Sequence, residues 1–281
     1  MLSYRHAFHA GNHADVLKHF VLQQLLQYLN QKDKPYWFID THAGAGLYAL
    51  DQGYATKNAE YGSGIARLLA SADLPPLLAD YVALVRNLNT DGVLRFYPGS
   101  PWWASQTMRT DDRLRLFELH PSDVQLLQEN FSDAGRRVKI EQTDGFAGLK
   151  ALLPPPPRRA LVLIDPPYEE KQDYLRVPAA LTDALKRFEN GMYAVWYPLL
   201  QRPESRQFAD KLKQLSTKSW LHVSLTVHTP SPDGFGMHGS GMFLINPPWK
   251  LHATLKETMP WLSKTLAQDA GAGFLLEQYA N

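Results

Sequence analysis

The sequence predicts an α/β protein with a mostly parallel, doubly wound sheet, and three observations predict it. Short apolar runs recur along the chain, and most of them end in an acid or a glycine turn. Stretches with apolar residues at helical spacing separate these runs, as crossover connections between parallel strands require. One run, Leu161-Val162-Leu163-Ile164, is apolar at every position, as a strand covered on both faces must be.

Taken in order, Ala14 to Leu29 places Val16, Leu17, Phe20, Val21, Leu25 and Leu29 at helical spacing, with Asp15 favourable in the first turn. Tyr36–Ile39 reads as the first buried strand and runs into Asp40-Thr41-His42-Ala43-Gly44-Ala45-Gly46. Arg113–His120 is the second and passes Glu118; Val138–Glu141 is the third and leads to Asp144-Gly145. Leu161–Ile164 and Met192–Trp196 follow, with helices over Ser122–Phe131, Gly145–Leu153 and Tyr174–Phe188 between the strands. Leu221–His228 and Gly241–Ile245 are joined by a stretch rich in proline and glycine with no room for a crossover helix. They are therefore expected to form an antiparallel hairpin at the sheet edge and to complete seven strands. Residues 48–95 separate the first two strands by more than one helix. They read as a small helical insertion, with helical spacing at Tyr61–Leu69 and Leu77–Leu88 and with Arg67, Arg86 and Arg95 offered to a substrate. Apart from this insertion, residues 1–281 read as one domain.

Composition narrows the chemistry. The 281 residues contain no cysteine, which removes disulfides, thiolate metal sites and a cysteine nucleophile. Net charge is +1, so binding of nucleic acid calls for a local basic face rather than a basic bulk. The opening residues Met1–His6 lack an apolar leader and no stretch reaches the ~18 apolar residues of a membrane helix, so a cytoplasmic enzyme without membrane contact is expected.

Asp165-Pro166-Pro167-Tyr168 follows the fourth strand, at the carboxyl end where open α/β sheets place ligands. Successive prolines stiffen the turn and keep it out of a helix. The Asp165 carboxylate and the Pro166 carbonyl are two acceptors suited to a planar amino group, and Tyr168 offers a flat face to a base. Asn246-Pro247-Pro248-Trp249 has the same pattern. If Leu221–His228 is parallel to the sheet, however, the strand before Asn246 runs the other way and this turn leaves at the opposite rim. It reads as structural.

The other strand ends complete a series. Gly44-Ala45-Gly46 allows a ligand close to the backbone but lacks the third glycine of a dinucleotide loop, since Ala49 stands there. Glu118 is placed to accept from two ribose hydroxyls, and Asp144 from an adenine amine. With Asp40 and Asp165, four acids follow four strands in order. His6, His9, His13 and His19 crowd the first helix, where His9 and His13 could share a face. A metal site needs a further ligand that the sequence does not identify, and no metal is expected.

This order of glycine loop, two acids and Asp-Pro-Pro-Tyr resembles S-adenosylmethionine-dependent amino-methyltransferases. More narrowly, Leu2–His19, Tyr97-Pro98-Gly99-Ser100-Pro101, Glu118–Ser122, Asp144-Gly145-Phe146 and Asn246–Lys250 resemble the RlmJ family of large-subunit ribosomal RNA adenine-N6 methyltransferases over nearly the whole length. The resemblance implies a Rossmann-like class I methyltransferase fold, S-adenosyl-L-methionine as cofactor and 23S ribosomal RNA as partner. It implies cofactor contacts at His19, His42, Ser100, Glu118, Asp144 and Gly145, to which the loop glycines Gly44 and Gly46 are added. It also implies a catalytic Asp165 beside the cofactor and Tyr4 near the substrate, with Pro166 and Tyr168 on the base. A monomer suffices for a flipped-base site. A DNA adenine methyltransferase would share the chemistry but needs a larger target-reading domain than residues 48–95 provide. A non-catalytic RNA-binding protein with a vestigial pocket is the third reading.

Overall fold

The Asn12 side chain accepts from the N–H groups of Ala14 and Asp15, and this cap starts α1 (His13–Asn30). Fourteen of its eighteen residues are buried, so the charged residues it carries lie inside the protein. The computed structural model describes residues 5–52, 55–215 and 219–280. Strand β1 (Trp37–Asp40) is followed by β2 (Leu47–Ala49), then by α2 (Ala55–Asn58), α3 (Ile65–Ala70) and α4 (Pro76–Leu88). Strand β3 (Phe96–Pro98) returns antiparallel to β2 and leads into α5 (Ser100–Thr107). The regular alternation then runs β4 (Arg113–Phe117), α6 (Pro121–Asn130), β5 (Val138–Glu141), α7 (Gly145–Leu152), β6 (Ala160–Ile164), α8 (Asp173–Arg187) and β7 (Met192–Leu199). Two short helices, α9 (Pro203–Arg206) and α10 (Phe208–Lys213), precede β8 (Ser219–Thr226), β9 (Gly239–Ile245), α11 (Leu251–Leu266) and β10 (Gly273–Ala280).

The sheet order is β10-β8-β9-β7-β6-β1-β4-β5. Strands β5, β4, β1, β6 and β7 are mutually parallel, and β9 runs against both β7 and β8. Side chains alternate across it. Phe38, Leu114, Leu116, Leu161 and Leu163 join one core with α1, and Ile39, Phe117, Val162 and Ile164 join the other with α8. Both faces are covered, which is why Leu161–Ile164 is apolar throughout.

Two expectations are corrected. The sheet has eight strands, because β10 pairs antiparallel with β8 and forms the edge, leaving the β8–β9 hairpin inside it. Most of β10 is exposed or half-buried, so it shows no clean apolar alternation. The insertion is rooted by the β2–β3 ribbon, and Leu68, Leu78, Tyr81, Val82 and Val85 share the core of α1. Its arginines are engaged. Arg67 donates to the Ala267 carbonyl at 2.6 Å beyond the end of α11, Arg86 to the Leu69 carbonyl at 3.1 Å, and Arg95 pairs with Asp91.

Because β9 is antiparallel, Asn246 does leave at the rim opposite Asp165. It sits at φ +54°, and its amide donates to the carbonyls of Glu189 (2.8 Å) and Gly191 (2.7 Å). Those bonds hold a turn. No helix among the described residues is long and apolar enough to cross a membrane.

Candidate active site

Parallel strands bring their carboxyl ends to one rim, and a cleft of about 220 Å³ opens there. Its walls include Lys18, His19, His42, Gly44, Ser100, Glu118, Asp144, Gly145 and Asp165. These residues, 147 apart at the extreme, meet because β1, β4, β5 and β6 are neighbours.

The glycine loop forms one end. Gly44 is at φ +59°, and its N–H donates to Glu118 Oε2 at 2.8 Å. The other oxygen, Oε1, accepts from the His120 N–H at 2.7 Å. Burial raises the Glu118 carboxyl, and the two N–H groups counter it. Each oxygen keeps lone pairs toward the cleft, the arrangement a vicinal diol needs. Gly145 has no room for a side chain, since a Cβ there would lie 2.0 Å from the Thr41 carbonyl oxygen. Asp144 caps α7 by accepting from the Phe146 N–H at 2.8 Å and pairs with Arg176, whose guanidinium lies 4.6 Å from the Phe146 ring centre.

Asp40 stands behind the wall. It is fully buried, accepting from Ser100 Oγ at 2.6 Å and from the His42 N–H at 3.2 Å. Burial pushes its carboxyl up to about 7. Folding therefore takes up a proton between the ordinary carboxylate range near ~4 and pH 7. The contribution of Asp40 to stability is full below that range and falls by about 1.4 kcal/mol per pH unit as pH rises toward 7. His42, pushed down to about 4 by burial, slopes the other way, so the variant Asp40→Asn is the reference. In urea melts, wild-type stability minus that of Asp40→Asn should drop by a few kcal/mol between pH 4 and 7. A flat difference would mean that Asp40 is charged throughout.

The chemistry-bearing end centres on Lys18, whose role the sequence reading missed. Its ammonium bridges Asp165 Oδ2 at 2.6 Å and Asp15 Oδ1 at 2.9 Å, and its side chain is 5% exposed. Asp15 in turn accepts from the Gly11 N–H at 2.9 Å and is hydrogen-bonded to His6 Nε2 at 2.9 Å. Burial raises the Asp165 carboxyl and the Lys18 ammonium opposes this. Asp15 is held well below the usual carboxylate range, because His6, Lys18 and His19 outweigh the cost of burial. The signal was available: Asp15, Lys18 and His19, at i, i+3 and i+4, share one side of the first half of α1. His19 is buried at the cleft wall, with Nδ1 hydrogen-bonded to the Tyr97 hydroxyl at 2.8 Å and Nε2 without a hydrogen bond among the described residues. Tyr97 also bonds the Tyr81 hydroxyl of α4 at 2.8 Å, which ties the insertion to the site.

Other assignments change. Tyr168 does not face the cleft. It is 1% exposed, bonds the Trp196 carbonyl through its hydroxyl at 2.8 Å and packs against Tyr174 and Phe208, so its ring is not available to a base. Its left-handed φ of +52° turns the ring inward. Pro166 is buried, and Pro167 lines the cleft instead. Gly46 lies outside the wall; its carbonyl accepts from the Gly99 N–H at 2.9 Å, and a Cβ would meet Leu127 and Phe131. Tyr4 lies outside the described residues. His9 and His13 share no helical face, because α1 opens only at His13, and His9 bonds Glu60 at 2.9 Å. No three metal-ligating side chains converge among the described residues.

Comparison with known proteins shows the family. Residues 33–276 match the family described as ribosomal RNA large subunit methyltransferase D, RlmJ. Ribosomal RNA large subunit methyltransferase J of Escherichia coli (strain K12) is 47% identical over 273 residues, covering 97% of this chain and 96% of the relative. The Haemophilus influenzae protein of the same name is 46% identical over 278 residues, covering 99% and 98%. A crystal structure of a Legionella pneumophila protein superposes with TM-score 0.88 at 36% identity, covering 96% of this chain and 98% of that one.

Proposed function

The chain belongs to the RlmJ family of ribosomal RNA large subunit methyltransferases, and from that premise we propose that it methylates the N6 amino group of an adenine in 23S ribosomal RNA. It is a methyltransferase whose donor is S-adenosyl-L-methionine. That donor supplies a methyl group already activated by a positively charged sulfur. The cleft fits it: Glu118 offers two oxygens to a diol, and Gly44, Gly145, Ser100 and His19, whose Nε2 has no hydrogen-bond partner among the described residues, line the wall.

The observation that carries the reading is the Asp15–Lys18–Asp165 triad at the cleft. Its net charge is −1, and its free acceptor is Asp165 Oδ1, since Oδ2 takes Lys18. An adenine amine donating to Asp165 Oδ1 turns its nitrogen lone pair toward the methyl group. The nitrogen becomes positive as its new bond to carbon forms and the methyl–sulfur bond breaks, the anionic triad stabilises that charge, and loss of one N–H proton to solvent leaves the neutral methylamine. Alignment of this kind is worth up to ~7–11 kcal/mol of the barrier.

Since Tyr168 is buried, another aromatic must cover the flipped base. Phe235 is 79% exposed on the β8–β9 loop, at the same rim, between Gly234 and Gly236, both at positive φ. Phe235→Ala should raise KM for RNA about 10–100-fold, the value of one stacked base, with cofactor affinity unchanged. Unchanged KM removes it from the base site.

The reaction is tested by transfer of tritium from labelled S-adenosyl-L-methionine into a 23S ribosomal RNA transcript, with the digested nucleosides separated. Label in N6-methyladenosine is expected. Label in another nucleoside, or only in duplex DNA, overturns the assignment.

A further inference from the structure

Resting on the ribosomal RNA reading, we infer that the rim of the sheet opposite the cleft is a second contact surface, for the sugar–phosphate backbone of the RNA. The cleft itself offers that backbone little positive charge. The cleft is lined by Glu118, Asp144, Asp165, Glu169, Glu170 and Asp173 but only by Lys18 and Arg176 among lysines and arginines. A net charge of +1 gives no attraction from the molecule as a whole. The loops that enter β1, β4, β5 and β6 lie together at the opposite rim, because those strands are parallel neighbours. Residues 31–36, 108–113, 132–137 and 154–159 contain eight lysines and arginines against four aspartates.

A solvated face would leave such charges dispersed and mobile. Here half of them are fixed. Arg109 and Arg159 lie 5.9 and 5.8 Å from the centre of the Tyr36 ring. Arg159 donates to the Leu29 carbonyl at 2.8 Å, Arg137 to that of Ser105 at 2.9 Å and Arg113 to that of Asp112 at 3.0 Å. Carbonyls fix a guanidinium without neutralising it. Buried Asp112 neutralises Arg109 at 3.2 Å. Lys34, Arg136 and Arg158 are exposed and form no ion pair among the described residues. Burial and the neighbouring Arg109 hold the Arg159 guanidinium below its ordinary value, so like charges are gathered here against their repulsion. Fixed guanidiniums next to exposed cations, spread over four loops along one rim, suit an extended polyanion rather than a small anion.

The test is the full chain with Lys34→Glu, Arg136→Glu and Arg158→Glu together, all exposed and outside the cleft. On a 23S ribosomal RNA transcript, KM should rise roughly tenfold or more with kcat unchanged, and the slope of log Kd against log salt should fall by about two. Methylation of a short adenine-containing oligonucleotide that fills only the cleft should not change. An unaltered KM and salt slope on the transcript overturns the inference. So does an equal loss on the short oligonucleotide, or a loss seen only with assembled ribosomal particles, which would assign the surface to a protein. Wild-type transfer into the same transcript checks the activity itself, independently of these variants.

Discussion

Replacing Asp165 with alanine is expected to lower kcat for methyl transfer by about 10²–10⁴-fold, the range of a positioned acid–base group, with cofactor affinity within a few-fold of wild type. The carboxylate stands at the carboxyl end of β6, stiffened by Pro166 and Pro167 and held through Oδ2 by Lys18 at 2.6 Å. Alanine removes both the acceptor that orients the amine and the charge that answers the nitrogen's growing positive charge. Glu118 and the glycine loop, at the other end of the cleft, are untouched. Asp165→Asn separates the two contributions: its carbonyl oxygen still accepts, so it should fall between wild type and alanine. Single-turnover transfer with saturating RNA and cofactor reads the chemical step. Near-normal rates for the alanine variant would remove Asp165 from the mechanism.

The part of this site that was legible in the sequence is the part that strand ends dictate. Asp40, Glu118, Asp144 and Asp165 each end or follow a parallel strand, so the sheet places them along one rim, in the strand order Asp165, Asp40, Glu118 and Asp144. The direction of β9 likewise told Asp165 from Asn246, because hairpin geometry is local. What stayed hidden depends on contacts between distant segments. Lys18 reaches Asp165 only because α1 lies across the sheet, and no periodicity reports where a helix packs. Tyr168 looked like a stacking ring because the motif gives its type. The ring's direction is set by a left-handed backbone and by Tyr174 and Phe208, which close over it. β10 escaped because an edge strand needs apolar residues on little of its surface. Arg67 of the insertion looked free because its carbonyl partner, Ala267, lies 200 residues away.

Lys18→Met should be the other severe change, and its signature is a pH dependence that simple unfolding does not produce. The ammonium is buried between two carboxylates, and burial lowers its affinity for a proton less than Asp15 and Asp165 raise it, so it is charged at every working pH. Removing one partner of a buried ion pair costs about 3–5 kcal/mol, because the remaining charge loses its compensation. Asp15 keeps His6 and the Gly11 N–H, whereas Lys18 is the only charged group within ion-pair distance of Asp165 among the described residues. Burial then acts on Asp165 against His6 alone and its carboxyl climbs further above the ordinary range. A protonated Asp165 is a poorer acceptor for the amine, so kcat at pH 7 should fall at least ~10²-fold. It should recover in part as pH rises, with the acid limb of the kcat profile displaced to higher pH relative to wild type. The stability consequence has the matching sign. With Asp165 raised, Lys18→Met loses stability relative to wild type as pH rises from the ordinary carboxylate range through the raised value, and least is lost in acid. Lys18→Met combined with Asp165→Asn should regain much of that stability while remaining inactive, since the neutral amide no longer needs a cation. A Lys18→Met profile lowered equally at all pH values would show that Lys18 supports the fold alone and does not hold Asp165 in its charged form.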